Sequence, residues 1–121
     1  MPVRSSNSSV LKWPDLKTVD RAVRTWAANQ ASKQAGVLRI GYFGSYARGD
    51  WGVGSDLDLI AVIAETIDPF ELRALRWNLN SLPLPADLVI YTLREWQDLQ
   101  NRDNKFSRVL RDETVWVFTN G

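Results

Sequence analysis

The sequence predicts an α/β (α+β) fold, a small mixed sheet of about four strands with helices packed mostly on one face. Three observations predict it. Segments with helical spacing alternate with short apolar runs in the order α-β-α-β-α-β-α-β. The run from Leu57 to Ala64 is nearly all apolar, as a strand covered on both faces must be. The 121 residues, 45% hydrophobic and 24% charged, suffice for one hydrophobic core and leave no room for a second.

Residues 1 to 13 are Ser-rich and aperiodic and are expected to be flexible, leaving a single domain over residues 14–121. The first helix starts at Pro14-Asp15, carries Leu16, Val19, Val23, Trp26, Ala27 and Gln30 at helical spacing, and is expected to end at Gly36 as its C-terminal cap. Val37 to Phe43 is rich in β-branched and aromatic residues and reads as a strand. Gly44 to Ser55 is a glycine-rich loop or short helix, and Leu57 to Ala64 is the second strand. Asp68-Pro69 opens a second helix whose buried stripe is expected to be Leu72, Leu75, Leu79 and Leu82, stopped by Pro83 and Pro85. Asp87 to Thr92 is the third strand. Arg94 to about Arg111 is helical with a break around Asn101 to Asn104, and Thr114 to Phe118 is a short last strand.

Composition removes whole classes of chemistry. There is no Cys and no His. Thiolate catalysis, Ser-His-Asp triads and the usual zinc sites are excluded, so any catalysis runs on carboxylates, hydroxyls, Lys, Arg and backbone amides. Fifteen Lys and Arg balance fourteen Asp and Glu, and that near-neutrality argues against direct nucleic-acid binding. No stretch has the apolar length of a membrane span, and the polar beginning lacks the apolar region of a signal peptide. The expected location is the cytoplasm, with no membrane partner.

One segment stands apart, Gly44-Ser45-Tyr46-Ala47-Arg48-Gly49 followed by Ser55-Asp56-Leu57-Asp58-Leu59. Gly44-Ser45 follows directly on an apolar strand. Glycine there permits a sharp turn and close approach of a ligand, Ser45 is placed to cap the next helical turn, and free amides at such a turn suit a phosphate. Arg48, one turn later, adds a positive charge. Asp56 and Asp58, two apart, share one face of a strand and lie roughly 6.6 Å apart along it. Two like charges at the start of a buried strand are costly unless compensated, and a hard divalent cation compensates them. The pair also has the separation to straddle two Mg²⁺ ions about 3.5–4 Å apart. The bland reading is that both carboxylates cap loop amides. Asp87 opens another apolar strand and joins the pair if the two strands are neighbours; after Pro83-Leu84-Pro85-Ala86 it reads equally as turn chemistry.

Gly44-Ser45, ten intervening residues, Asp56-x-Asp58 and a later strand-borne Asp87 resemble the DNA polymerase β-like nucleotidyltransferase superfamily. The inner run resembles the minimal nucleotidyltransferases, many of which are antitoxins beside HEPN-domain ribonuclease toxins. By motif the resemblance spans residues 37–92, and by element order 15–118. It implies the polymerase β-like nucleotidyltransferase fold. It further implies that Asp56, Asp58 and Asp87 are catalytic and bind Mg²⁺, two ions in all. Gly44 and Ser45, with Arg48 and Ser55, would hold the nucleotide. The implied reaction moves AMP from ATP to a hydroxyl, a tyrosine's on the HEPN toxin, silencing it within a hetero-oligomer. Two rivals stand beside this: an antitoxin that blocks its toxin by binding alone, and a nucleotidyltransferase acting on a small molecule or an RNA end.

Six Trp is a high count. Trp26, Trp96 and Trp116 lie in periodic segments and read as core. Trp51, in the glycine-rich loop, either stacks on a base or covers the core, and Trp13 and Trp77 are candidates for exposed contact with a partner. Tyr46 either touches the nucleotide or packs.

Overall fold

The computed structural model describes residues 13–120. The expected flexible lead-in lies outside the described residues except for Trp13, which packs against the core.

Helix α1 spans Leu16–Lys33. Asp15 is its N-cap and accepts from the Thr18 amide at 2.9 Å. Val19, Val23, Trp26 and Ala27 recur on one face and are buried, as their spacing predicts. The helix stops at Lys33, before the expected cap. Gly36, at φ 70°, instead makes the turn into β1, and its carbonyl accepts from the Ala64 amide at 2.8 Å, joining the start of β1 to the end of β2.

Four strands follow: β1 Val37–Phe43, β2 Leu57–Ile63, β3 Ala86–Thr92 and β4 Val115–Thr119. They form one mixed sheet in the order β3-β2-β1-β4. β1 is antiparallel to β2 and β4, and β2 is parallel to β3. Between β1 and β2 lies a one-turn helix, α2, Ser45–Arg48. After β3 come α3, Leu93–Gln100, and α4, Lys105–Glu113, interrupted where the sequence reading expects it. Each has a capping box, Thr92 with Glu95 and Asn104 with Ser107, so local chemistry alone starts two helices here instead of one.

β2 is central and buried on both sides, as its apolar run predicts. Leu57, Leu59, Ala61 and Ile63 join the core against α1, with Trp26, Trp77 and Leu82. Ile60 and Val62 face the other way, onto Trp96, Leu99 and Leu110 of α3 and α4. The second face is thus covered more than the expectation of helices mostly on one face allows. Trp77 is buried against Trp26, ring centroids 5.9 Å apart, and is no exposed contact.

The expected second helix is corrected. Phe70–Arg76 is a 3₁₀ helix, and Leu72 and Leu75 of the predicted stripe are exposed, while Leu82 is buried beyond it. The reason is Arg73. The residue is 8% exposed, and its guanidinium bonds both Glu95 oxygens at 2.6 and 3.1 Å, the Ile90 carbonyl at 3.0 Å and the Asp68 carbonyl at 3.0 Å. A three-residue turn keeps Phe70 and Arg73 on one side, and the leucines fall outside it. Replacing Arg73 by Met leaves the Ile90 and Asp68 carbonyls and the Glu95 carboxylate short of a donor and is expected to cost about 2 kcal/mol in urea unfolding. The Arg73 hydrogen bonds also hold the Glu95 carboxyl below its usual 4.5. Its folded-state value is depressed, so this stability is present above pH 4.5 and is lost as pH falls through the folded value. The variant should show a smaller acid-side loss, because the Thr92 amide still bonds the carboxylate.

Candidate functional site

Three elements meet at one rim of the sheet: the end of β1, the start of β2 and the start of β3. β1 ends at Phe43, opposite Asp58 of β2. Gly44 follows at φ 79°, ψ −149°, a conformation reserved for glycine. A Cβ on Gly44 would run into the Asp58 carboxylate. Glycine therefore lets the main chain pass directly over that acid.

Gly44, not Ser45, occupies the N-cap of α2, and Ser45 is the first helical residue. The amides of Ser45, Tyr46 and Ala47 lie in the first turn, where no intrahelical carbonyl reaches them. The rest of the segment is braced. Tyr46 is buried, donates to the Pro14 carbonyl at 2.9 Å and stacks on Trp51 with centroids 5.5 Å apart. Tyr46 therefore packs, and one face of Trp51, which is partly exposed, lies against it. The Ser55 hydroxyl accepts from the Gly52 amide at 2.8 Å, and its carbonyl accepts from the Trp13 indole at 3.2 Å. Ser55 and Trp13 thus shape the loop entering β2, and Trp13 is partly buried. Arg48 bonds Asp50 at 3.0 Å and Glu113 at 3.4 Å. Glu113, at the end of α4, carries no local sequence signal, since only the fold brings it to Arg48.

Asp56 stands just before β2 and is exposed, while Asp58 is the second residue of β2 and half-buried. Asp87 is the second residue of β3, exposed, and is the direct cross-strand partner of Asp58. The alternation along β2 and β3 puts Asp58 and Asp87 on the face of Ile60, Val62 and Val89. The structure therefore brings the strand-borne acid to the pair.

The arrangement is electrostatically unbalanced. Burial first, then Asp87, then Asp56, raise the Asp58 carboxyl above its usual 3.8, while Arg48 pulls the other way. Among the described residues none of the three acids forms an ion pair. Neighbouring carboxylates without a cation are the donor set a hard divalent ion prefers. No three acidic side chains among the described residues already converge into a closed metal cage. In an NMR titration without metal, the Asp58 midpoint is expected above 3.8 and should move down in Asp87→Asn, because a like charge has been removed.

A cavity of about 410 Å³ lies at the other end of the sheet, lined by Ile63, Asp68, Arg73, Arg76 and Trp77. Asp68 there is paired with Arg76 at 2.6 Å and Arg73 with Glu95, and Glu65 also lines the cavity.

Residues 25–117 match the model of the nucleotidyltransferase domain. The chain belongs to that family. No curated protein is similar enough in sequence to match this nucleotidyltransferase. Among solved structures it is similar to a Sulfolobus solfataricus protein assigned as a nucleotidyltransferase, with 19% identity over 86% of this chain and 83% of that one and a TM-score of 0.62. It is also similar to a chain of a toxin–antitoxin solved with AMP-PNP, with 17% identity, 84% and 73% coverage and a TM-score of 0.51. A variant of the toxin–antitoxin MntA-HpeT gives 17% identity, 84% and 72% coverage and a TM-score of 0.50. At these identities the likeness is one of fold. No helix among the described residues of the nucleotidyltransferase is long and apolar enough to cross a membrane.

Proposed function

We propose that this nucleotidyltransferase transfers AMP from ATP to a hydroxyl, a tyrosine's, on a cognate HEPN-domain ribonuclease toxin, and thereby acts in the cytoplasm as its antitoxin. The observation that carries the transferase reading is Gly44 seated against Asp58, with Asp87 opposite on the next strand. The antitoxin reading is supported by the motif resemblance and by the fold shared with a toxin–antitoxin solved with AMP-PNP.

Asp56, Asp58 and Asp87 would hold Mg²⁺, which supplies charge neutralisation at the phosphates and lowers the pKa of the acceptor hydroxyl. The first-turn amides after Gly44 receive the triphosphate, whose negative charge suits unpaired N–H groups. Arg48 adds its charge by exchanging Asp50 and Glu113 for phosphate oxygens. Asp87 takes the proton of the acceptor hydroxyl. That oxygen then bonds to the α-phosphorus, the α–β bridging bond breaks, and pyrophosphate leaves. Such a reaction depends on positioning and charge more than on a dedicated nucleophile, so a chain without His or Cys performs it.

Mass spectrometry of the cognate toxin after incubation with this protein, ATP and Mg²⁺ tests the reading. The expected result is a mass gain of whole AMP units on a tyrosine, with loss of ribonuclease activity. An unmodified toxin that is nonetheless neutralised would reject transfer and leave inhibition by binding.

A further inference from the structure

β3 is an outer strand, and its ladder with β2 uses one side of its backbone. Leu57 is in register with Ala86, and the Leu57 amide donates to the Pro85 carbonyl at 3.0 Å. In a parallel ladder this turns the N–H and C=O of Asp87, Val89 and Tyr91 toward β2, and those of Ala86, Leu88, Ile90 and Thr92 outward. The far end of the outward row is sealed. The Ile90 carbonyl accepts from Arg73, and the Thr92 amide donates to Glu95 at 2.8 Å. Near the carboxylates the row is open. Leu88 is partly exposed, and among the described residues its main chain has no hydrogen bond outside the ladder. The open reach therefore begins one residue from Asp87.

We infer that the protein acceptor docks as an extended segment along this edge, pairing its main chain with Leu88 and presenting its hydroxyl side chain to Asp87. This rests on the transferase reading above. A donor and an acceptor on the same outward residue are satisfied together by another extended polypeptide, which a small molecule or an RNA backbone does not match. On such a strand alternate side chains share the Asp87 face. The residue directly opposite places its Cβ about 4.5–5.5 Å from that of its partner, so a short hydroxyl side chain there comes within reach of the carboxylate and a tyrosine reaches it from a diagonal position. The Arg73–Glu95 seal stops the added strand from sliding away from the acids. Main-chain pairing gives affinity with little demand on the acceptor sequence, while the position of the hydroxyl sets specificity.

Hydrogen exchange on the purified chain separates the two sides of β3. The Leu88 amide should exchange fast and the Val89 amide, bonded to β2, slowly. Adding the protein acceptor found by the mass measurement, with a non-hydrolysable ATP analogue, should slow Leu88 at least about tenfold. A Leu88 amide already as protected as Val89 in the free chain, through self-pairing or another segment, overturns the inference, as does an unchanged rate in the complex. Leu88→Pro deletes the outward N–H and spares the ladder to β2, whereas Leu88→Ala removes the side chain and keeps the N–H. KM for the protein acceptor should rise about tenfold in the Pro variant relative to the Ala variant, with a smaller change in kcat. Equal KM values with normal labelling by the unaltered protein reject the edge alone. Absence of labelling by the unaltered protein rejects the transferase reading as well.

Discussion

Replacing Asp58 by Asn is expected to reduce nucleotidyl transfer by about 10³-fold, the scale of losing a preorganised charged group at a reacting phosphate. The same change should raise stability. Burial and the neighbouring acids lift the Asp58 carboxyl above its usual 3.8, so its charged form is disfavoured in the folded chain. The sign follows from linkage: a folded-state value above the unfolded one gives stability that is present below 3.8 and lost as pH rises through the folded value. At neutral pH the native protein has lost that increment, and Asn, of the same shape without the charge, restores it. Urea unfolding at pH 7 should show Asp58→Asn above the native protein, with the gap closing in acid. An active Asp58→Asn protein would remove Asp58 from the centre of the mechanism, and a destabilised one would show that its carboxylate is held by contacts beyond those described.

Gly44→Ala is expected to lose both stability and transfer. The backbone at φ 79°, ψ −149° is strained for any residue with a side chain, which costs about 1–3 kcal/mol. The new methyl would also drive into the Asp58 carboxylate, which must shift. Pushing it away from Asp87 breaks the geometry that positions the reaction, so activity should fall by about 100-fold or more even in molecules that remain folded. The control is Gly52→Ala, where an added Cβ meets open space. That variant should retain transfer and most of its stability. If Gly44→Ala behaves the same way, close main-chain passage over Asp58 is not required for the reaction.

The two variants differ in a way that separates roles. Asp58→Asn removes chemistry and gains stability, whereas Gly44→Ala removes geometry and loses stability. Acidic groups clustered for function and left unpaired are a common reason for such opposition.

The strands and helix α1 were legible in the sequence because their signals are local. Val37–Phe43 and Leu57–Ile63 are apolar over strand length, and α1 repeats its buried residues every three or four positions. The break between α3 and α4 was also legible, since each capping box spans four residues. The candidate acids stood out for the same reason: two carboxylates at the mouth of an apolar strand are locally anomalous. The 3₁₀ helix was not legible. Its leucine spacing reads as a buried stripe, but Arg73 is held by Ile90 and Glu95, 17 and 22 residues away, and those bonds decide which side faces inward. Tyr46 and Arg48 likewise look available in the sequence until Pro14 and Glu113, 32 and 65 residues away, are brought to them.

By itself, then, the sequence determined the order of elements, the absence of imidazole and thiol chemistry, and the presence of a glycine-serine turn followed by paired acids. The tertiary structure decided that Asp87 stands beside Asp58, that Gly44 lies over it, and that one side of β3 beside them is left open. Spacing and composition act between near neighbours along the chain, whereas strand register is set only when distant segments pair, and the meeting of residues 44, 58 and 87 depends on register.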